Sequence, residues 1–428
     1  DVQGEETVGL RQALESGDES TVRKRTEEII NQIVGASSDL YLDHDGNGTI
    51  DNPADGFGSF PNGGSPGACS LYVESLGAVD LLQCCAAACK AQCCNRQNGW
   101  ASTNERSLAQ ALTRDAGRLT ETYRRLNQCP LGAAASFGAT WPIDRAQTAR
   151  LLGFDSVQDN TLDAISSRWE FEADLGQAAA FVMTHLSQMA QDLIAFSTPP
   201  GDILRLDDRF TTGSSIMPQK RNPDFAEVTR ARAASALALS HALFEAARGA
   251  RSGYNRDSQW TKYWIMDLID EVGAGPDVFA EVIRSVTFRE PVRSAMIQRG
   301  FMNAVDVADH LARTRGAPFR ACYHALAETV RLSQDRGALD FEALNRLIRE
   351  RRLGRTLDPG EIAELSDPAG CVARRRHAGA PSPEALEASR ARLAAEWTRL
   401  RRALARDRSA IETARRRLSR AIAALSEG

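Results

Sequence analysis

Near the middle of the chain, the stretch Thr212-Gly-Ser-Ser-Ile-Met-Pro-Gln-Lys-Arg-Asn-Pro-Asp224 gathers groups suited to proton transfer and anion binding. A Gly-Ser-Ser turn is mobile and brings the hydroxyls of Ser214 and Ser215 close to one point. Lys220 adds a cation. Asn222-Pro223-Asp224 reads as a helix start, with Asn222 at the N-cap, Pro223 at the first helical position and an acid in the first turn. A helix N-terminus with a lysine beside it is a good place to hold a carboxylate. An ordinary polar turn before a helix would suit any few of these residues, but not all of them together.

The stretch is similar to the signature loop of the fumarase/aspartase superfamily, Gly-Ser-Ser-x-x-Met-Pro-x-Lys-x-Asn-Pro. Within that superfamily the chain most resembles argininosuccinate lyase, over roughly residues 103 to 400. A second segment, Tyr254-Asn-Arg-Asp-Ser-Gln-Trp-Thr-Lys262, resembles that family's Tyr-Asn-(Lys/Arg)-Asp-x-Gln-Glu-Asp-Lys. The resemblance implies an all-α, long-helix bundle with a small helical C-terminal subdomain. It also implies a tetramer whose active sites each draw on three chains, and no cofactor.

The implied chemistry is β-elimination from an N-succinyl compound, giving fumarate and an amine or a guanidine such as arginine. Such a reaction needs a base for the Cβ proton, stabilisation of the carboxylate as it gains charge, and a proton for the departing nitrogen. By resemblance Ser214 is the base, with Ser215 as the neighbour that could substitute. A free serine is a weak base, so it must sit against amides or cations that favour the alkoxide. Lys220 and the helix start at Asn222 would stabilise the substrate carboxylate. Tyr254, Gln259 and Lys262 match the family's carboxylate ligands, and Gln259 and Lys262 are expected on one helix face. Trp260-Thr261 replaces the usual acidic pair, which bears on leaving-group recognition.

The resemblance stops short of the first hundred residues. The family's Thr-x-Arg-Ser-Arg-Asn-Asp segment and its Thr-His-Leu-Gln segment, whose His does acid–base work, have no counterpart in this chain. Counting back from the helix expected at 103 to 127 puts the His position near Gln92. Glu227 matches the residue that orients that His, and here His44 or another chain would have to supply its partner. Two rival readings follow: a catalytically silent oligomeric paralogue with a binding or structural role, and a diverged lyase for another succinyl-amine. A third is that residues 1 to 100 are a fused or aberrant segment.

That first segment has its own motifs. Asp43-His-Asp-Gly-Asn-Gly-Thr-Ile-Asp51 matches the first nine positions of a calcium loop, with oxygen ligands at Asp43, Asp45, Asn47 and Thr49. Its twelfth position is Ala54 rather than a bidentate acid, and Asn-Gly and Asp-Gly form turns in any context. Six of the nine cysteines lie between 69 and 94. Cys85, Cys89 and Cys93 would share one helix face, yet no Cys-x-x-Cys pair is present, so an Ala/Cys-rich buried helix is the stronger reading. Cys129, Cys322 and Cys371 look like core thiols.

Composition is that of an ordinary globular protein, with a net charge of −4. No global field favours nucleic acid, and no apolar run is long enough to span a membrane. Small-molecule partners are expected, and the cytoplasm is the expected compartment. The chain does not begin with Met, which reads as processing, trimming or a fragment. Only four of the basic residues are lysines, and two of those are Lys220 and Lys262.

Helical periodicity supplies the frame. The expected divisions are 1–100, an atypical segment; 101–288, the long-helix bundle; 289–400, a helical subdomain; and 401–428, an amphipathic tail. One long helix is expected over 161 to 196, a second from Pro223 to about Arg248, and a third from about Ser258 to Arg284. His185, inside the first, is expected to be packed or hydrogen-bonded. Trp397, Leu404, Ile411, Leu418 and Leu425 repeat every seven residues, so the tail could form a coiled-coil-like packing.

Overall fold

The computed structural model describes residues 101–426. The calcium-loop positions Asp43, Asp45, Asn47 and Thr49, the cysteine cluster, His44 and Gln92 lie outside the described residues. Fourteen α-helices are described. Five build the bundle: α1 (Ala101–Leu126), α4 (Arg168–Ser197), α5 (Asp224–Glu245), α6 (Thr261–Gly273) and α7 (Gly275–Ser285). Two short helices, α2 (Arg145–Leu152) and α3 (Thr161–Ser166), lie between α1 and α4. The described residues are all-α apart from four two-residue strands. β1 (Gln128–Cys129) pairs in parallel with β2 (Ser156–Val157), and β3 (Leu204–Arg205) pairs antiparallel with β4 (Thr287–Phe288).

The bundle forms because each long helix carries a stripe of small and branched apolar residues. On α4 these include Ala179, Met183, Leu186, Ala190 and Leu193, all buried; on α5 they include Ala226, Ala233, Ala236 and Leu243. Burial of such stripes stabilises by about 25 cal/mol for each Å² of apolar surface removed from water. Gly176 sets how closely α4 and α5 approach. A Cβ there would come within 2.7 Å of Leu243 Cδ1.

Two long helices expected as single elements are broken. The helix expected over 161–196 divides at Ser167, whose backbone leaves helical geometry at φ −89°, ψ 5°. Its hydroxyl donates to the Asp163 carbonyl at 2.7 Å and accepts from Gln158 Nε2 at 2.9 Å, a local alternative to continuing the ladder. The helix expected over 258–284 splits into a short 3-10 turn (Arg256–Gln259), α6 and α7. Gly273, Gly275 and Pro276 weaken the α6–α7 junction, and Pro276 has no amide to donate.

Beyond the bundle, α8 (Glu290–Arg299) leads into a compact helical subdomain: α9 (Ala304–Arg315), α10 (Phe319–Ser333), α11 (Phe341–Glu350), α12 (Pro359–Ser366) and α13 (Pro368–Ala373). Val307, Leu311, Cys322, Leu326, Leu344 and Ile348 form its separate core. Helix α14 (Pro383–Ser426) then runs 44 residues without interruption, so the division expected at residue 400 falls inside one helix. Its Leu393 and Trp397 join the bundle core. Trp397 Nε1 donates to Thr113 Oγ1 at 2.7 Å, which fixes α14 against α1. The tail therefore packs on its own bundle through at least Ile411, which is buried beside Tyr123. The three described cysteines are buried and free. Burial pushes the Cys129 thiol up to about 11, which keeps it protonated and inert.

Candidate active site

The signature loop is closed at its base by a single backbone bridge. Thr212 N–H donates to the Asn222 carbonyl at 3.0 Å, and Asn222 N–H donates to Thr212 at 2.9 Å. The helix start is thereby corrected by one residue. Pro223 occupies the N-cap without a side-chain cap, and α5 begins at Asp224. Asn222 is not the cap because its backbone is committed to the bridge. The Thr212 hydroxyl donates to the Asp224 carboxylate across the same stem. Neither leg of this stem was singled out from sequence as a partner of the other. The signal was present only as a Thr and an Asp flanking the loop.

Beneath the stem, Phe210, Phe225 and Phe279 form an aromatic column. Ring centroids are 6.0 Å apart for the first pair and 5.6 Å for the second, both edge-to-face. The column anchors both ends of the loop to α7. Above the stem the loop is free. Ile216 is 86% exposed at the tip, and Met217, Gln219 and Lys220 are also exposed.

Inside the loop the backbone folds around Ser214. Its Oγ accepts from the amides of Ile216 and Met217, each at 3.2 Å. The Lys220 amide closes the next turn on the Met217 carbonyl at 3.0 Å. Two amide donors on one hydroxyl oxygen lower the cost of negative charge there. Ser215 is exposed. Lys220 has no carboxylate partner among the described residues. Glu227 stands exposed in the first turn of α5, its amide held by the Pro223 carbonyl at 3.3 Å.

Tyr254, Gln259 and Lys262 gather elsewhere. Tyr254 follows Gly253, whose amide donates to Ser166 Oγ at 2.8 Å and whose φ of +92° suits only glycine. Gln259 closes the 3-10 turn and Lys262 opens α6, with Trp260 at the junction, so the two do not share one helix. Lys262 Nζ lies 4.9 Å from the Tyr263 ring centre, and Trp260 packs against the same ring at 5.5 Å. Trp260 is exposed and stands where the family places an acid.

The two groups sit at opposite ends of α5. α5 itself, with 22 residues at about 1.5 Å of rise each, is roughly 33 Å long. Ser214, Ser215, Lys220 and Asn222 thus lie on the loop that leads into α5 and Glu227 in its first turn, whereas Tyr254, Gln259 and Lys262 lie on the segment that follows α5. His185 is on neither side. Its Nδ1 lies 2.6 Å from Asp115 Oδ2, and the buried Asp115 also accepts from Arg118 at 2.8 Å. The expected packing role for His185 is what its geometry provides.

Two family models match the chain: a lyase model over residues 102–237, and an argininosuccinate lyase C-terminal model over residues 301–373. Together they take in the signature loop, the α5 start and the second core. From residue 102 to residue 373 the chain belongs with the argininosuccinate lyases. It is 38% identical over 286 residues to the argininosuccinate lyase of Laribacter hongkongensis, covering 67% of this chain and 61% of that protein. It is 39% identical over 290 residues to that of Alkalilimnicola ehrlichii, covering 68% and 60%. The chain thus spans about three fifths of the length of these relatives. Among solved structures, EDDS lyase in complex with formate superposes with a TM-score of 0.72 at 23% identity, covering 84% of this chain and 75% of that one. The class II fumarase of Schistosoma mansoni gives 0.59 at 14% identity, covering 81% and 76%. These two show the fold, an all-α long-helix bundle.

Among the described residues no cluster of His, Cys, Asp and Glu could hold a metal ion, and no helix is long and apolar enough to cross a membrane.

Proposed function

We propose that the chain is a carbon–nitrogen lyase of argininosuccinate type, releasing fumarate from an N-succinyl compound. The observation that carries this reading is the pair of loop amides on Ser214 Oγ. They stabilise the alkoxide that a serine base requires. Ser214 would take the Cβ proton of the succinyl group. The electron pair left behind forms the double bond of fumarate as the Cα–N bond breaks, and the nitrogen leaves with a proton as an amine or guanidine. Lys220 would offset the charge that builds on the carboxylate. Tyr254, Gln259 and Lys262 would hold the substrate's carboxylates, and an exposed Trp260 in place of an acid would meet a cationic leaving group by a cation–π contact rather than an ion pair.

A working site needs both ends of α5, so it needs more than one copy. The outward face of α5 supports assembly: Val228, Leu237 and Phe244 are exposed among Ala231, Ala234 and Ala238. Arg230 and His241 share that face, and the apolar side chains between them are what a second copy would cover. In a two-fold pair of antiparallel helices, the loop end of one copy meets the Tyr254 end of the other. A homotetramer, as the family resemblance implies, satisfies this for every copy. The proposed divisions are then a bundle that assembles and carries the site, a helical subdomain outside it, and the long last helix bracing α1.

The missing Thr-His-Leu-Gln segment favours a second reading, an oligomeric paralogue that kept the loop and lost its acid. Ultraviolet absorbance of fumarate after adding argininosuccinate, with Ser214→Ala as control, separates the two. Fumarate that depends on Ser214 supports the lyase. Its absence from a well-folded tetramer, with adenylosuccinate as well, supports the silent paralogue.

A further inference from the structure

At the foot of the signature loop lies a cavity of about 330 Å³. Four segments wall it: the end of α4, the turn into β3, the β3–β4 ribbon, and both legs of the loop. Three arginines line it: Arg205 on β3, Arg289 just past β4, and Arg221 on the returning leg of the loop. One acid, Asp202, is on the lining, and it is already held by Arg289. Arg221 is paired to Asp208, on the outgoing leg. Arg205 has no carboxylate partner among the described residues. The hydroxyls of Ser197 and Thr211 complete the polar lining, and Ser197 Oγ is buried with no hydrogen-bond partner among the described residues.

Ser197 Oγ, buried without a partner among the described residues, is costly unless something meets it, and the exposed Arg205 on the same lining carries a charge that no described carboxylate offsets. Arginines supplied by three separate segments suit a tetrahedral oxyanion, which accepts on several sides, better than a planar carboxylate, whose acceptors lie in one plane. We propose that this cavity binds a phosphate group, free or carried on a larger molecule. Bound there, it ties the returning leg of the loop, through Arg221, to the β3–β4 ribbon, through Arg205 and Arg289. Arg221 adjoins Asn222, half of the one backbone bridge that closes the stem. The ligand thus stiffens the stem without touching Ser214. Any effect on turnover rests on the lyase reading, whereas binding and stiffening do not.

Trypsin reports the stiffening directly, because the peptide bonds after Lys220 and Arg221 are its targets. The full chain is digested in phosphate, in ATP and in chloride at matched ionic strength, and cleavage at these two bonds is followed by mass spectrometry. Phosphate is expected to slow cleavage there several-fold in the unaltered protein and to leave it unchanged in Arg205→Gln. Slowing by inorganic phosphate alone assigns the free anion, and slowing by ATP as well assigns a phosphoryl group on a larger molecule. Cleavage as fast in phosphate and ATP as in chloride overturns the proposal. Equal slowing in Arg205→Gln also overturns it, since the effect then comes from elsewhere. Should Arg205→Gln melt at a lower temperature than the parent, Arg205→Lys, which keeps the charge and loses the fork, takes its place with the same two outcomes.

Discussion

Two clusters of polar groups in this molecule have opposite designs. In the signature loop, Ser214 is met by backbone amides alone, and Ser215, Lys220 and Glu227 face solvent. In the helical subdomain, Glu361 is surrounded. Arg315 Nη2 donates to both its oxygens at 2.7 and 2.8 Å, Arg355 donates at 3.0 and 3.2 Å, His310 lies at 3.0 Å and the Asp358 amide at 3.1 Å. Glu361 also closes a capping box with Asp358 at the start of α12. Burial of its carboxyl pushes the pKa upward, but the hydrogen bonds from Arg315, His310 and the Asp358 amide outweigh that and lower it to about 2. A carboxylate so fully partnered serves structure. Side chains held in place but left unpartnered are available for chemistry. The contrast follows from the cost of an unmet polar group, which is tolerated only where substrate or solvent meets it.

The contrast can be broken most sharply at Ser214. We expect Ser214→Ala to lower fumarate release by about 10²–10⁴-fold, the usual worth of a general base, with no shift in melting temperature. A large loss of stability instead would make Ser214 a turn-former only. Mixing chains carrying Ser214→Ala with chains carrying Gln259→Ala is the companion test. The two defects lie at opposite ends of α5, so mixed oligomers are expected to regain part of the activity that neither parent has. Failure of well-mixed oligomers to regain any would sink the shared site.

Glu361→Ala is expected to do the reverse. It leaves Arg315, whose side chain is 3% exposed, as a buried charge with its main partner gone. The cost should be about 3–5 kcal/mol in denaturant unfolding, with Ser214-dependent turnover preserved wherever the subdomain stays folded.

Acid acts on the same cluster with a defined sign. The folded pKa of Glu361, about 2, is below its ordinary value of 4.5. Its contribution is therefore complete above about 4.5 and is lost as pH falls from there toward 2. Melting temperature measured across that window should fall more steeply for the parent than for Glu361→Gln. Parallel curves would contradict the assignment. The smallest effect is expected at Trp397→Phe, which removes the hydrogen bond to Thr113 and should cost about 1 kcal/mol, read as a modest drop in melting temperature.

The loop itself was legible in sequence because its chemistry is local. Gly213, Ser214, Lys220 and Asn222 lie within ten residues, so spacing alone announces them. The stem was misread by one residue because the competitor for the Asn222 backbone, Thr212, sits across the loop, and helix-cap rules look only at neighbours. The breaks at Ser167 and at Gly273-Ala-Gly275 escaped notice for a related reason. Apolar periodicity runs straight through both, and one hydroxyl and one proline decide the geometry.

Sequence by itself determined the helical class, the family of residues 102 to 373, and the residue types proposed for both halves of a site. Each of these is written in patterns a few residues long, set by the 3.6-residue turn and by turn chemistry. Tertiary structure alone decided that Arg232 of α5 meets Glu271 of α6, that Glu361 draws in Arg315 from 46 residues away, and that Arg205 and Arg289 share one cavity. Packing brings such distant groups together, and no spacing along the chain encodes the encounter.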